Sequence, residues 1–565
     1  MKHRWEIDSL AGEASVDLGR GLKLSRLASQ CLANRGFRDF DSASRFLDPR
    51  LKSLADPFLI PGMRAAVDGL FRLRASGQKV VVFGDYDVDG VSATAILVEF
   101  LGAHGWRVEW YLPHRMDEGY GLTQAAVETC VAKFQPGLVL TVDCGSTSVS
   151  QVEWLTAQGI PTVIVDHHQV ASPAPQAVAL VNPQLGESFR ELCSAGLAFK
   201  LAHACVKEGR DQGLTEFAQT DVRQYLDLVA LGTIADLVPL NGENRILATA
   251  GLKYLNESTR PGLLALREVA KTPSRLSASA VGFQLGPRLN ASGRLESAEM
   301  SLELLLARDR KAALSKASAL DQCNRDRQQI ERRTALQAVK KIRAQFDPAR
   351  DFVLVEGDPE WHVGVVGIVA SRVLREFYRP TIILGGDTEG WRGSGRSIAG
   401  FDLAAGLRKC GDLLTRHGGH AMAAGVSLPE SQVSKFRERL NRIAAETLKP
   451  EDLVPRLRLD AACELDEIDA ALVNELERME PFGQGNPPVQ LCVENVRHSR
   501  APQRIKDDHW KMWLTNGRRT LEALWWGAGD QSCPTGDFDV AAVPEQSEYQ
   551  GQRQLQLRVL ECRER

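Results

Sequence analysis

Three aspartates at alternate positions follow an apolar run near the start of the chain. Residues 80–84 read VVVFG and lead directly into Asp85, Asp87 and Asp89. On an extended backbone, residues two apart point to the same side, so this spacing predicts three carboxylates on one side. Such crowded negative charges repel one another, and a bound divalent cation removes that conflict because hard cations prefer oxygen ligands. The alternative is an acidic turn that binds nothing.

Other acids and a pair of histidines lie at or near the ends of further apolar runs. These residues are Asp143, Asp166, His167, His168 and Asp236. Segments of helical period at 91–101, 123–134 and 147–158 alternate with the first three runs. Strands alternating with helices predict a doubly wound parallel sheet, whose ligands bind beyond the carboxyl ends of its strands. We therefore expect these side chains to converge on one edge of the sheet.

The side chains gathered there offer carboxylate oxygens and imidazole nitrogen without thiolates. The candidate metal ligands are Asp87, Asp89, Asp143, His167 and Asp236. Such a set fits Mn²⁺ or Mg²⁺, and four aspartates can bridge two ions, as in enzymes that hydrolyse phosphate esters. Adjacent residues of an extended chain face different sides, so we expect His167 to bind metal and His168 to face the substrate. The alternative for either histidine alone is a buried core residue.

Length and composition describe an ordinary globular protein of several domains. The chain has 565 residues, 44% hydrophobic and 25% charged, with a net charge of −3. This balance carries no overall signature of nucleic-acid binding, although a local basic groove would suffice. Eleven cysteines without C-x-x-C pairs suggest buried thiols in a reducing compartment. With no apolar signal region and no membrane-length run, we expect a soluble cytoplasmic protein.

The pattern of elements predicts an α/β protein made of two α/β units, a long connecting helix and a C-terminal β-barrel. Residues 297–346 contain neither proline nor glycine and read as one charged, domain-bridging helix, whereas the region after about residue 455 alternates apolar and polar residues. The expected divisions are a helical lead-in at 1–62, a catalytic α/β domain at 63–296, the helix at 297–346, a second α/β domain at 347–450 and a barrel of the OB-fold type at 451–565.

Two segments rich in glycine and arginine are candidates for binding phosphate. Residues 286–294 read GPRLNASGR, and residues 394–397 read SGRS. Glycine lets backbone N–H groups approach an anion, and arginine grips phosphate with two hydrogen bonds. We interpret both segments as phosphate-binding loops, the alternative being ordinary tight turns.

The Asp166, His167, His168 triplet resembles the signature of the DHH phosphoesterase superfamily. Further segments narrow the resemblance to the bacterial exonucleases of that superfamily that are specific for single-stranded DNA: 84–90, 141–145, 232–239, 286–294, 418–420 and 481–487. The resemblance covers most of the chain. It implies that residues 63–296 form the DHH domain and residues 347–450 the DHH-associated domain, with the barrel binding nucleic acid.

The resemblance also implies roles for individual residues. Asp87, Asp89, Asp143, His167 and Asp236 become ligands of two Mn²⁺ or Mg²⁺ ions, while His168 acts at the scissile phosphate. Asp85 belongs to the same motif and is a second catalytic candidate. Phe83 stands where many small-molecule members of the superfamily carry histidine, a departure that fits the exonucleases and weakens one metal site.

Substrate contacts are expected from both α/β units and the barrel. The candidates are Arg115, Tyr120, Arg288, Asn290, Arg294, Ser394, Arg396 and His420. The resemblance implies that a 5′-terminal phosphate is held by basic and hydroxyl residues, which we place at Arg115, Arg288, Ser394 and Arg396. Tyr120 either stacks on a base or packs its loop. In the barrel, Trp510, Trp513, Trp525 and Trp526 lie among arginines and lysines, and we expect at least two of them to be core.

Together these features predict a metal-dependent exonuclease that degrades single-stranded DNA and releases nucleoside monophosphates, and the resemblance alone implies the 5′-to-3′ direction. The resemblance implies work in DNA repair and recombination beside a helicase and the single-strand-binding protein. A groove between the α/β units would admit one strand and exclude a duplex. The alternatives are a phosphoesterase for short oligonucleotides or small metabolites, and a scaffold with an inactive site.

Overall fold

The computed structural model describes residues 2–8, 12–114, 118–119, 121–295, 297–387, 390–506, 508–549 and 552–565. Internal contacts divide the chain into two units. The larger unit comprises Ile7–Leu320 and Arg458–Arg565, and the smaller unit comprises Met1–Glu6 and Asp321–Leu457.

The chain begins with a short strand and three helices: β1 (Arg4–Ile7), α1 (Gly12–Leu22), α2 (Arg26–Asn34) and α3 (Phe40–Leu47). Side chains cap two of the helices, since Ser25 Oγ accepts from Ala28 N and Asp39 Oδ1 accepts from Ser42 N. The buried faces of these helices share one core with the barrel described below, which includes Leu32. The helical character expected of this region is therefore confirmed.

A five-stranded sheet forms the centre of the larger unit. Its elements are α4 (Met63–Ser76), β2 (Lys79–Gly84), α5 (Val88–Ala103), β3 (Arg107–Tyr111), α6 (Gln124–Phe134), β4 (Leu138–Val142), α7 (Val149–Ala157), β5 (Thr162–Val165) and β6 (Ala179–Val181). The strands lie in the order β3-β2-β4-β5-β6 and are all parallel. Val82 and Phe83 are both fully buried and belong to cores on opposite faces of the sheet. Burial on both faces explains the continuous apolar runs, and the predicted doubly wound sheet is confirmed.

Helices follow the sheet: α8 (Ser194–Asp211), α9 (Leu226–Ala235), α10 (Gly242–Glu257), α11 (Pro261–Ala270), α12 (Ala278–Ala280), a π-helical turn (Val281–Leu285), α13 (Gly286–Leu295), α14 (Glu299–Leu305) and α15 (Arg310–Arg343). The segment interpreted as a phosphate loop at 286–294 is thus a helix, and that prediction was wrong. Its glycine serves close packing, because a Cβ built on Gly293 would lie 2.9 Å from the Tyr86 carbonyl oxygen. The helical stretch at 297–346 is divided between α14 and α15.

A buried lysine on α8 binds the segment that precedes α4. The Lys200 ammonium is fully buried and donates to Glu243 Oε1 and to the Ala55 carbonyl oxygen, each over 2.9 Å. Glu243 Oε1 in turn accepts a hydrogen bond of 2.6 Å from Ala55 N. Burial lowers the pKa of Lys200, which the charge of Glu243 partly offsets.

The smaller unit contains a five-stranded mixed sheet. Its elements are β7 (Leu354–Asp358), α16 (Val366–Phe377), β8 (Thr381–Asp387), β9 (Gly390–Arg396), α17 (Leu403–Arg408), β10 (Arg416–Gly419), β11 (Ala423–Leu428) and α18 (Val433–Thr447). The next strand along the chain is β12 (Arg456–Leu459). The order is β10-β11-β9-β8-β7, with only β7 and β8 parallel. The predicted loop at 394–397 is wrong for Ser394–Arg396, which end strand β9. Gly395 lets β9 pack closely against Leu403, since a Cβ on Gly395 would lie 2.5 Å from Leu403 Cδ2.

The C-terminal region forms a closed barrel, as the alternating pattern predicted. It contains β13 (Ala461–Cys463), α19 (Ala470–Glu477), β14 (Leu491–His498), β15 (Gln503–Ile505), β16 (His509–Thr515), β17 (Thr520–Trp525), β18 (Phe538–Tyr549) and β19 (Gln552–Glu564). An extra pairing of β14 with β16 closes the seven-stranded sheet. At least two of the four tryptophans were expected to be core; Trp525 is buried in the barrel core, and Trp510 is partly buried and packs against it. Trp526 is 51% exposed.

Candidate metal centre

The aspartate motif lies in the turn that joins β2 to α5. The strand ends at Gly84, and Asp87 caps the helix by accepting from Asp89 N at 2.9 Å and from Gly90 N at 3.1 Å. The argument from an extended backbone was therefore wrong. The carboxylates approach one another because a buried strand runs into a helix N-terminus, where unpaired N–H groups favour negative charge.

Asp89 and Asp143 are held by the first residues of α8. Asp89 Oδ2 accepts from Ser194 N at 2.7 Å and its Oδ1 accepts from Ala195 N at 2.9 Å. The Ser194 hydroxyl donates to Asp143 Oδ1 at 2.9 Å. Asp143 follows β4 in a left-handed conformation with φ of 63°, which is rare outside glycine and typical of functional sites. Ser194 was not foreseen, because no spacing in the sequence connects it with the acids.

His167 faces three of the aspartates. Its Nε2 lies 3.4 Å from an oxygen of Asp143, 3.6 Å from one of Asp236 and 4.0 Å from one of Asp89. This nitrogen is buried and has no hydrogen-bond partner among the described residues. Asp236 reaches the site from the C-terminal end of α9 and not from a strand. A buried, unbonded nitrogen that faces carboxylates is the arrangement expected of a metal ligand.

Three overlapping groups of side chains have ligand atoms within 4.8 Å of one another. They are Asp143 with His167 and His168, Asp89 with His167 and Asp236, and Asp85 with Asp87 and Asp143. The structure thus brings together all five predicted metal ligands and both predicted catalytic residues. Their oxygen-rich composition with imidazole fits Mn²⁺ or Mg²⁺.

Three aspartates of the cluster have raised pKa values. Burial is the main cause that raises the pKa of Asp89, Asp143 and Asp236, the last to about 9, and the charges of neighbouring aspartates add to it. Because cations bind the deprotonated form, a metal ion must displace protons from this cluster.

His168 is paired with Asp166, a residue of the triplet to which no role was assigned from the sequence. Its Nδ1 lies 2.8 Å from Asp166 Oδ1, and Asp166 also accepts from the backbone N–H groups of His168 and Ser146. Burial alone would lower the pKa of His168, but the hydrogen bond and charge of Asp166 outweigh it and raise the pKa to about 9. The centroids of the two histidine rings lie 4.4 Å apart with the ring planes tilted by 57°, so the expectation that the rings face different sides was wrong.

The predicted substrate residues are divided between the units. On α13, Asn290 Oδ1 accepts from Val88 N at 3.0 Å and Arg288 Nη1 donates to the Gln284 carbonyl oxygen at 2.6 Å, while Arg294 lies half-buried in the last turn. In the smaller unit, Arg396 Nη1 donates to Ser394 Oγ at 2.8 Å.

Three other predicted contacts complete that set. His420 is exposed after β10, in the smaller unit. Arg115 and Tyr120 lie outside the described residues.

Comparisons with known proteins agree on one family. Residues 79–233 match the family model "DHH family, N-terminal domain", residues 350–446 match the DHHA1 domain and residues 459–561 match the RecJ OB domain. The single-stranded-DNA-specific exonuclease RecJ of Dickeya dadantii is 34% identical over 94% of this chain and 95% of its own length. The chain belongs to the RecJ family. The Bacillus subtilis RecJ is 36% identical over 94% of this chain, which spans 66% of that longer relative.

Solved RecJ structures share the fold. The RecJ of Thermus thermophilus in complex with Mn²⁺ has a TM-score of 0.85 and 31% identity, covering 100% of this chain and 80% of that one. The same RecJ in complex with Mg²⁺ gives a TM-score of 0.80 at 29% identity, covering 100% and 78%. Both ions suit the carboxylate and imidazole cluster found here. Among the described residues, no helix is long and apolar enough to cross a membrane.

Proposed function

We propose that this RecJ-family protein is a metal-dependent exonuclease that degrades single-stranded DNA. One observation carries the proposal: the unbonded Nε2 of His167 faces three aspartates at the carboxyl edge of the parallel sheet. This is a centre for hard cations in a chain whose relatives are named single-stranded-DNA-specific exonucleases. Divalent cations held at such a centre promote hydrolysis of a phosphodiester by stabilising negative charge on the scissile group.

The ligands proposed for the ions are Asp87, Asp89, Asp143, His167 and Asp236. When bound, Mn²⁺ or Mg²⁺ activates water and neutralises phosphate charge in such sites. The remaining chemistry belongs to the chain. Asp166 keeps the His168 ring oriented and protonated near neutral pH, so His168 donates a hydrogen bond or a proton to the scissile phosphate. Asp85 lies in the same cluster and adds to the negative charge that attracts the ions.

Recognition of the strand end is proposed for arginines and hydroxyls of the predicted set. Arg288, Ser394 and Arg396, together with Arg115, bind a 5′-terminal phosphate, while Tyr120, Arg294 and His420 contact the nucleotides beside it. Binding of the 5′ end sets the 5′-to-3′ direction, and one nucleoside monophosphate leaves after each cleavage. Arg396 supports this assignment, because its guanidinium hydrogen-bonds Ser394 and so holds two phosphate-binding groups next to each other.

The barrel is proposed to grip the strand. Arg500 lies 3.4 Å from the centre of the Trp513 ring, and Trp526 exposes half its surface. Aromatic rings beside cations bind successive bases without sequence preference. We extend the proposal to DNA repair and recombination in the cytoplasm, in cooperation with a helicase and the single-strand-binding protein. The eleven free thiols suit that reducing compartment.

Digestion of strands labelled at one end tests the function. The protein is incubated with single strands labelled at the 5′ or 3′ end and with a matched blunt duplex, in Mn²⁺, Mg²⁺ or chelator. We expect metal-dependent release of mononucleotides from the 5′ end, with the duplex spared. Cleavage of very short pieces alone would place the protein with the small-substrate phosphoesterases. Binding without cleavage in every metal would indicate a scaffold.

A further inference from the structure

Two large apolar side chains are exposed next to the metal centre. Phe283 is 81% exposed and Leu237 is 68% exposed, although most residues of this size in the larger unit are buried. Leu237 directly follows the ligand Asp236. Exposed apolar side chains are ordinary when scattered, but two that flank a reactive centre require a reason.

The backbone that presents both side chains is unusual. Leu237 has φ of 59°, a left-handed conformation that a bulky residue adopts at a cost. Phe283 lies in the π-helical turn Val281–Leu285, a rare element that is frequent at functional sites. Both deviations occur where a regular helix would have turned the side chain elsewhere. Strain of this kind persists only when the surrounding structure holds it.

The π-helical turn packs against the end of α9 that carries Asp236. A Cβ built on Gly282 would lie 4.0 Å from Ile234 Cγ2, and a Cβ on Gly286 would lie 3.6 Å from Ala235 Cβ. From the other side, Arg288 donates to the carbonyl oxygen of Gln284 in the same turn. The turn that carries Phe283 therefore packs against the helix end that bears Asp236, and it accepts a hydrogen bond from Arg288, a candidate phosphate-binding arginine.

We propose that Phe283 and Leu237 form an apolar platform on which one nucleobase of the bound single strand stacks. The proposal rests on the proposed function and adds a specificity-determining contact to it. A base is the fitting occupant because Arg288 hydrogen-bonds the turn that carries Phe283, and an arginine attracts the phosphates on either side of that base. The flat face of a phenyl ring accepts any base, so the contact favours unpaired bases over a duplex without reading sequence.

The test combines removal of the Phe283 side chain from the protein with removal of one base from the strand. Binding of a short 5′-phosphorylated strand is measured in chelator by fluorescence anisotropy, and a single abasic residue is moved along the strand one position at a time. We expect Phe283→Ala to weaken binding of the intact strand about tenfold, with Phe283→Trp restoring it. At one position, the abasic residue weakens binding to the unaltered protein about as much, but has no effect on Phe283→Ala.

Two further variants separate the platform from general effects. Leu237→Gly removes the side chain without backbone strain, because glycine accepts positive φ. It should weaken binding of the intact strand and reduce the effect of an abasic residue at the same position of the strand as Phe283→Ala does. Phe40→Ala removes an exposed phenyl ring (52% exposed) from α3 and should leave binding unchanged.

Equal binding by Phe283→Ala and the unaltered protein would overturn the platform. Equal abasic losses in both proteins at every position would overturn it as well. Failure of the proposed function would give a different result, since the unaltered protein would then leave single strands intact in every metal.

Discussion

Asn290 is joined to Val88 by a hydrogen bond of 3.0 Å between the side-chain oxygen and the backbone N–H. Val88 is the first residue of α5, between the proposed ligands Asp87 and Asp89. A helix from a distant part of the chain thus fixes the turn on which the metal centre depends. Sequence reasoning had placed Asn290 only among the substrate contacts.

Replacing Asn290 by alanine should weaken metal binding about tenfold, as loss of an outer partner of a metal site commonly does. Affinity for Mn²⁺ measured by calorimetry checks this. Asn474→Ala, which removes a surface hydrogen bond to Gln546, is the matched control and should bind Mn²⁺ normally. A variant with normal Mn²⁺ affinity but weakened strand binding would return Asn290 to substrate recognition alone.

Asp166→Asn should move the alkaline limit of activity to lower pH. Asp166 raises the pKa of His168 to about 9, so its neutral replacement lets that pKa fall and His168 loses its proton earlier as the pH rises. The profile of kcat/KM against pH at saturating metal measures the shift. An unchanged alkaline limit would show that the proton of His168 is not required.

Binding of Mn²⁺ near neutral pH should release protons. The pKa of Asp236 is about 9, so this carboxylate is protonated before the ion binds, and burial together with neighbouring aspartates also raises the pKa of Asp143. Calorimetry in two buffers of different ionisation enthalpy counts the protons, and affinity should increase from pH 6 to pH 8. Identical enthalpies in both buffers would contradict the raised pKa values.

Arg35→Met should destabilise the larger unit by about 3 kcal/mol, the typical effect of breaking a buried ion pair. Arg35 binds Asp460 at 2.7 Å and Asn486 at 2.8 Å, and the side chains of the pair are only 10% and 11% exposed. Denaturant unfolding measures the loss. The exposed pair of Arg223 with Asp221 provides the control, and Arg223→Met should leave stability nearly unchanged.

The sheet and the convergence of most of the acids were predictable because apolar runs followed by acids are visible in the sequence. Buried parallel strands are continuous apolar runs, and the acids that end them meet at one edge. Glycine misled the interpretation of α13 and β9, since the same residue serves a turn or a close approach of packed elements. Gly293 and Gly395 do the latter.

Other features had no signal to find. Ser194 acts partly through its backbone N–H, which every residue except proline possesses. Phe283 and Leu237 read as core residues because an apolar side chain gives no indication that it will be exposed.

Helix α8 has a consequence for any attempt to isolate the catalytic part of the chain. Its first residues hold Asp89 and Asp143, and Lys200, further along, binds Glu243 and the carbonyl oxygen of Ala55. A fragment that starts at residue 63 would keep every metal ligand and yet leave a buried ammonium short of one acceptor. The smallest intact catalytic fragment must therefore begin before Ala55, within the segment that leads away from the N-terminal helices.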